Sequence, residues 1–169
     1  MSRRLSWETE QMNVRSMPLE MLNNVLEFIR PAFVQAAALC LRDGPKGQEV
    51  LLVKTLQREN WITPKGWPMR NKPLCQAAAI EAWEEAGVKG AISAEPVGAF
   101  TYTKIKKSGL PVQCRPLVFR LDVSELRDTY PESNKRTRQW FSLSEAAEVV
   151  KPPELKALLQ RLAEQSNQT

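Results

Sequence analysis

Glu81, Glu84 and Glu85 stand at positions i, i+3 and i+4 of an alanine-rich segment. On a helix, at about 100° per residue, their carboxylates fall within roughly 100° of arc on one face. Like charges at this spacing weaken a bare helix, so something must offset them. Carboxylate oxygens suit a hard divalent cation, Mg2+ or Mn2+, which makes such an ion the natural counter-charge. An exposed acidic face on an ordinary surface helix is the alternative. The chain has no histidine, and Cys40, Cys75 and Cys114 lie far apart with no CxxC pair, so the usual zinc ligand sets are excluded.

The elements that must position these groups are legible around them. Pro73 to Ala86 reads as the helix, with Asn71 as its N-cap, Pro73 in the first turn and Gly87 after its end. A stripe of small residues on it, Cys75, Ala78, Ala79, Ala82 and Ala86, lets it lie close on a sheet and hold the carboxylates rigidly. Phe33 to Arg42 reads as a buried strand, Gly44 to Gly47 as a turn and Glu49 to Leu56 as the partner strand. Trp61 to Thr63 is a short extended piece. Strands are expected over Pro96 to Thr103 and Val112 to Leu121, flanking a loop from Lys104 to Gly109, and over Arg138 to Phe141. Helices follow at Ser144 to Val150 and Pro153 to Gln165. Strands and helices mixed in this order predict an α/β fold, a sheet covered by helices on both faces. Upstream, Leu19, Leu22, Val25, Leu26 and Ile29 mark an amphipathic helix within an N-terminal extension, residues 1–30, ahead of a domain over 31–169. That helix is expected to pack on the domain or on a twin subunit, which would make a homodimer.

The flanking residues carry a resemblance. Gly66, Glu81, Ala82, Glu84, Glu85, Gly87 and Val88 match in register the Nudix box, G-x5-E-x7-R-E-U-x-E-E-x-G-U, where U is aliphatic. Trp61-Ile62-Thr63-Pro64-Lys65-Gly66 resembles the W-x-x-P-K-G entry of that family, and Arg138 to Ala146 resembles its strand-then-helix signature near the C-terminus. The chain is thus identified as similar to Nudix (MutT-like) hydrolases over roughly residues 33 to 165. The resemblance implies a Nudix-like α/β/α sandwich with a mixed central sheet. It also implies hydrolysis of a phosphoanhydride, with Mg2+ or Mn2+ held by Glu81, Glu84, Glu85 and the Gly66 carbonyl. The general base varies within the family. Glu85 and Glu132 are both candidates here, and Glu85 is preferred because it needs no assumption about a loop. Two box positions differ: Lys72 replaces a glutamate and Ile80 replaces the arginine that helps orient the glutamates. Without that arginine the carboxylates are expected to lose an internal counter-charge, which should raise the pKa of at least one of them in the metal-free state.

Composition bounds the substrate. The chain has 169 residues, enough for one compact domain, and ordinary hydrophobic (43%) and charged (25%) shares. Its 24 basic against 19 acidic groups give +5, and the pI is near 9.3. That balance fits either an anionic small-molecule partner or a solvated basic surface. Lys65, Lys104, Lys106 and Arg136 are the candidate substrate-binding cations, with Lys107, Lys135 and Arg138 extending the basic surround. Trp67, Tyr102 and Trp140 are candidates for stacking on a base, although core packing suits Trp140 better. The P-K-G entry and these cations resemble the branch acting on dinucleoside and diphosphoinositol polyphosphates. A degenerate domain that binds polyphosphate without cleaving it is the alternative. No apolar stretch is long enough to span a membrane, and no nucleic-acid recognition motif is present, so neither partner is expected. Glu8, Glu10 and Gln11 interrupt any signal-peptide core after Arg3 and Arg4, which makes the cytoplasm the expected location.

Overall fold

The computed structural model describes residues 32–45, 47–56 and 60–166. The N-terminal helix expected within residues 1–30 lies outside them. In chain order the elements are β1 (Phe33–Gly44), β2 (Gly47–Lys54), β3 (Trp61–Ile62), β4 (Lys65–Gly66), α1 (Leu74–Ala86), β5 (Val88–Ile92), β6 (Gly98–Ala99), β7 (Tyr102–Ile105), β8 (Pro111–Leu126), β9 (Arg138–Ser142), α2 (Leu143–Val149) and α3 (Pro153–Ser166).

The sheet runs β3-β2-β1-β8-β5; β4 adds to β1, β6 and β7 add to β8, and β9 adds to β2. β1 and β8 pair in parallel from Phe33–Cys114 to Leu41–Asp122, and the other ladders are antiparallel, so the sheet is mixed. Successive strand residues point to opposite faces. Gln35 to Leu41 and Val50 to Val53 are buried without a break, which requires cover on both faces. α1 packs on β1 and β5, while α2 and α3 pack on each other and on β2. The result is the expected α/β/α sandwich. No helix among the described residues is long and apolar enough to cross a membrane.

Several expected boundaries shift. Lys104 and Ile105 belong to β7, not to the loop, because they pair with Val112 and Pro111. The strand expected over Pro96 to Thr103 is broken into β6 and the start of β7. β5 was not expected at all. It is short, leaves Lys89 and Ala91 exposed, and carries Gly90, a weak strand former. Asn71 is not the N-cap of α1. That position is Pro73, with no side-chain cap, while Asn71 sits at φ 60 in a turn closed by Lys72 N–H to the Met69 carbonyl at 3.2 Å. Asparagine tolerates this left-handed conformation, which is what a turn uses it for. On α1 the sheet-facing stripe is Ala78, Ala82 and Ala86 together with Ala77; Cys75 and Ala79 are only half-buried.

α1 ends as its sequence predicts. Gly87 takes φ 65, and its N–H donates to the Trp83 carbonyl at 3.0 Å. A Cβ there would lie 2.5 Å from Tyr130 Cδ1 and 2.6 Å from the Arg127 carbonyl oxygen. Gly87→Ala is therefore expected to cost roughly 1–3 kcal/mol through strain at this φ. Thermal unfolding measures this, and an unchanged midpoint would refute it.

Candidate active site

The site forms where α1, the glycine turn and the loop before β9 meet. β4 fixes the turn: Lys65 and Gly66 pair with Ala37 and Ala36 of β1, and Ala38 N–H donates to the Pro64 carbonyl at 2.9 Å. Small residues on both sides let α1 approach. A Cβ at position 66 would fall 1.8 Å from Glu81 Oε1, so only glycine leaves room for the Glu81 carboxylate against this backbone.

Glu85, four residues on, is 4% exposed. One of its oxygens accepts the Lys65 backbone N–H at 3.1 Å, and the other is ion-paired to Arg136 Nη2. The Arg136 Nε donates to Glu132 and its Nη1 to the Lys54 carbonyl at 3.3 Å. The loop is also tied to the helix by Glu132 N–H, which donates to the Glu84 carbonyl at 3.0 Å.

A cavity of about 1030 Å³ opens on this corner. Glu81, Glu85, Gly66, Lys65, Lys104, Lys106 and Arg136 all line it, so most of the expected site residues converge there. Glu84 and Glu132 do not line it. Aromatic rings support the lysines: Lys104 Nζ lies 5.1 Å from the Trp67 ring centroid, Lys65 Nζ 5.2 Å from Tyr102, and Lys106 Nζ 5.3 Å from Phe33. Trp67 itself is 42% exposed and meets Phe33 edge-on. Two lining residues that sequence reading did not single out are Gln35 and Lys151. Gln35 had a signal, as a single polar residue inside an apolar strand. It is buried and accepts the Tyr102 hydroxyl at 2.7 Å. Lys151 had none.

Three basic residues behave differently from expectation, and the first of them, Lys135, does not line the cavity. Arg138 does not extend the cavity's basic surround. Its guanidinium donates to the Ala86 and Arg127 carbonyls, each at 2.6 Å, and to Asp128 at 2.8 Å, which ties down the end of α1. Arg136 lines the cavity, yet its guanidinium is spent on two carboxylates. Trp140 packs against the core, as expected, with Arg42 stacked 3.9 Å from its ring.

With this geometry in place, comparison with known proteins is decisive. The NUDIX domain model matches residues 33–162. The chain belongs to the Nudix family. It is 31% identical over 118 residues to diphosphoinositol polyphosphate phosphohydrolase 3-alpha of Mus musculus, a match covering 69% of this chain and 68% of that protein. It is 32% identical to Nudix hydrolase 13, mitochondrial, of Arabidopsis thaliana over 60% of this chain and 52% of that protein. The chain spans about half the length of that protein and of Nudix hydrolase 12 from the same plant. Among solved structures, an Ap4A hydrolase of C. elegans superposes with a TM-score of 0.55 at 21% identity, covering 80% of this chain and 98% of that one, a likeness of fold.

The Nudix box here therefore has an unusual charge balance. The expectation that Ile80 leaves the glutamates without an internal counter-charge is corrected by Arg136, which supplies one from a different element. The expected rise in pKa is present, but its first cause is burial. Burial, then Glu85, Glu84 and Glu132, push the Glu81 carboxyl from 4.5 up to about 7. Glu85 is also pushed up by burial, with Lys65 and Arg136 pulling the other way. Burial lowers the Lys65 ammonium, against the pull of Glu85.

Glu81 has no hydrogen bond or ion pair among the described residues, so a half-buried carboxylate faces its like-charged neighbours with only a lesser pull from Lys65 against them. That donor chemistry fits a hard divalent cation. Among the described residues no three acidic side chains converge closely enough to hold one.

An acid whose folded pKa lies above its unfolded value binds more protons when folded, so stability falls as pH rises between the two values. In chelator the wild type is expected to lose stability from about pH 4.5 to about 7 relative to Glu81→Gln, with Mg2+ removing the difference. Thermal midpoints across that range test this. Parallel pH curves for the two proteins would be evidence against it.

Proposed function

We propose that this chain hydrolyses a phosphoanhydride bond in a highly anionic substrate, such as a dinucleoside polyphosphate or a diphosphoinositol polyphosphate, with Mg2+ or Mn2+. The observation that carries this is the Glu81 carboxylate beside Gly66, which forms no ion pair among the described residues and opens on the same cavity as Lys65, Lys104 and Lys106. Glu81, with the Gly66 carbonyl, would hold the cation, and Glu84, which does not line the cavity, would have to turn inward to join them. A carboxylate has about four lone-pair sites, so Glu85 can join them with those that Arg136 and the Lys65 amide leave free. When bound, the cation would neutralise charge on the diphosphate and lower the pKa of a water.

The chain's own groups do the rest. Lys65, Lys104 and Lys106 offer point charges to phosphate oxygens and hold the polyanion along the cavity wall. The Trp67 and Tyr102 rings under two of these lysines offer apolar faces for a base or a sugar ring. Glu85, buried at the inner end, is the preferred general base. It faces the cavity, whereas Glu132, the other candidate, does not line it.

A domain that binds polyphosphate without cleaving it is the alternative. It is favoured by Lys72 at a box position and by the commitment of Glu85 to Arg136. Phosphate release from a panel of diphosphate substrates with Mg2+ or Mn2+ separates the two, and binding without turnover supports the alternative. Glu85→Gln is expected to cut turnover about 100-fold or more, the range general base catalysis supplies. A loss of only a few-fold would remove Glu85 from that role, and Glu84→Gln serves as the companion for cation binding.

A further inference from the structure

α1 contains no lysine or arginine, so a buried carboxylate on it must find its counter-charge elsewhere. Arg136 provides it from the loop before β9, and its guanidinium is used on three sides. Nη2 pairs with Glu85, Nε with Glu132 and Nη1 with the Lys54 carbonyl of β2. The side chain is 10% exposed, less than that of Glu132 at 29%. Such a fork has planar, fixed donor directions, so it sets where both partners point as well as neutralising them. The turn that presents Arg136 is itself closed by Lys135 and Arg136 N–H donating to the Glu132 carbonyl at 2.9 and 3.0 Å.

We propose that Arg136 is a positioning residue. It aims the Glu85 carboxylate into the cavity and makes that aim depend on Glu132, which holds the other side of the guanidinium. Glu132 then acts through Arg136 and not on the substrate. This rests on the assignment of Glu85 as the reacting carboxylate given above. A cavity arginine that bound substrate phosphate directly would behave differently, because phosphate contacts act on binding while aim acts on turnover.

The test uses the full chain and three variants, Arg136→Gln, Glu132→Gln and the double substitution. Arg136→Gln is expected to lower kcat about 100-fold with KM within about three-fold. Glu132→Gln is expected to lower kcat less, about 10-fold, and the double variant to be no worse than Arg136→Gln alone, since both act on one link. A KM rise with kcat unchanged, or losses that multiply in the double variant, would overturn the proposal. If Arg136→Gln fails to fold, Arg136→Lys keeps the charge without the fork, and full kcat in that variant would overturn it as well. A signature independent of turnover is the Arg136 Nε–H resonance in nitrogen-edited NMR. It should be protected from exchange in the wild type and lose protection in both Glu85→Gln and Glu132→Gln. Should the wild type turn over nothing, the hydrolase assignment falls on its own, and this resonance still decides the link: loss of protection in both variants supports it, and protection in either refutes it.

Discussion

A carboxylate that is almost fully removed from water can stay charged only if other groups replace the water. Glu85 meets that condition with the Lys65 amide and the Arg136 guanidinium, and each comes from a different part of the chain. Removing one partner of a buried pair typically costs about 3–5 kcal/mol, because the remaining charge is stranded. The glycine turn, the end of α1 and the loop before β9 are therefore held to one another by this group. Their relative positions are what define the cavity's inner end.

Rigidity at that point has a packing origin. Ala36, Ala37 and Ala38 on β1 are fully buried, as are Ala78, Ala82 and Ala86 on α1, so whichever face of the strand meets the helix presents small side chains and the two lie close. The short β4 ladder then pins the turn to the same strand, which sets Gly66 close against Glu81. Larger residues along either surface would push the helix out and withdraw the carboxylates from the turn. The acidic face of α1 is thus placed by the alanines, while its charge is managed by residues far away in sequence.

That division explains what was legible beforehand. The helix, its glycine cap, the buried strands and the box register depend on local spacing, and periodicity reveals spacing. The boundaries of β7 and the existence of β5 depend on which partner strand lies alongside, and no residue within them announces it. Asn71 shows the same limit on a smaller scale. Its type fits both a cap and a left-handed turn, and only the Met69–Lys72 bond selects the turn. Arg136 was read as one of several loop cations open to phosphate. Its true neighbours are 51 positions and 4 positions away, and the first of these contacts exists only once the sheet has closed. Arg138, two residues on, looked equivalent and is instead bound to backbone carbonyls at the end of α1.

The charges around the inner cavity also do not close on themselves. Glu81, Glu84, Glu85 and Glu132 bring four carboxylates to this corner, and Arg136 and Lys65 bring two cations. The pairing is uneven, since Glu85 and Glu132 share the guanidinium while Glu81 is left to its like-charged neighbours. Among the described residues, Lys104 and Lys106 form no ion pair with these carboxylates, whereas Lys65 stands beside Glu85 and pulls on its charge.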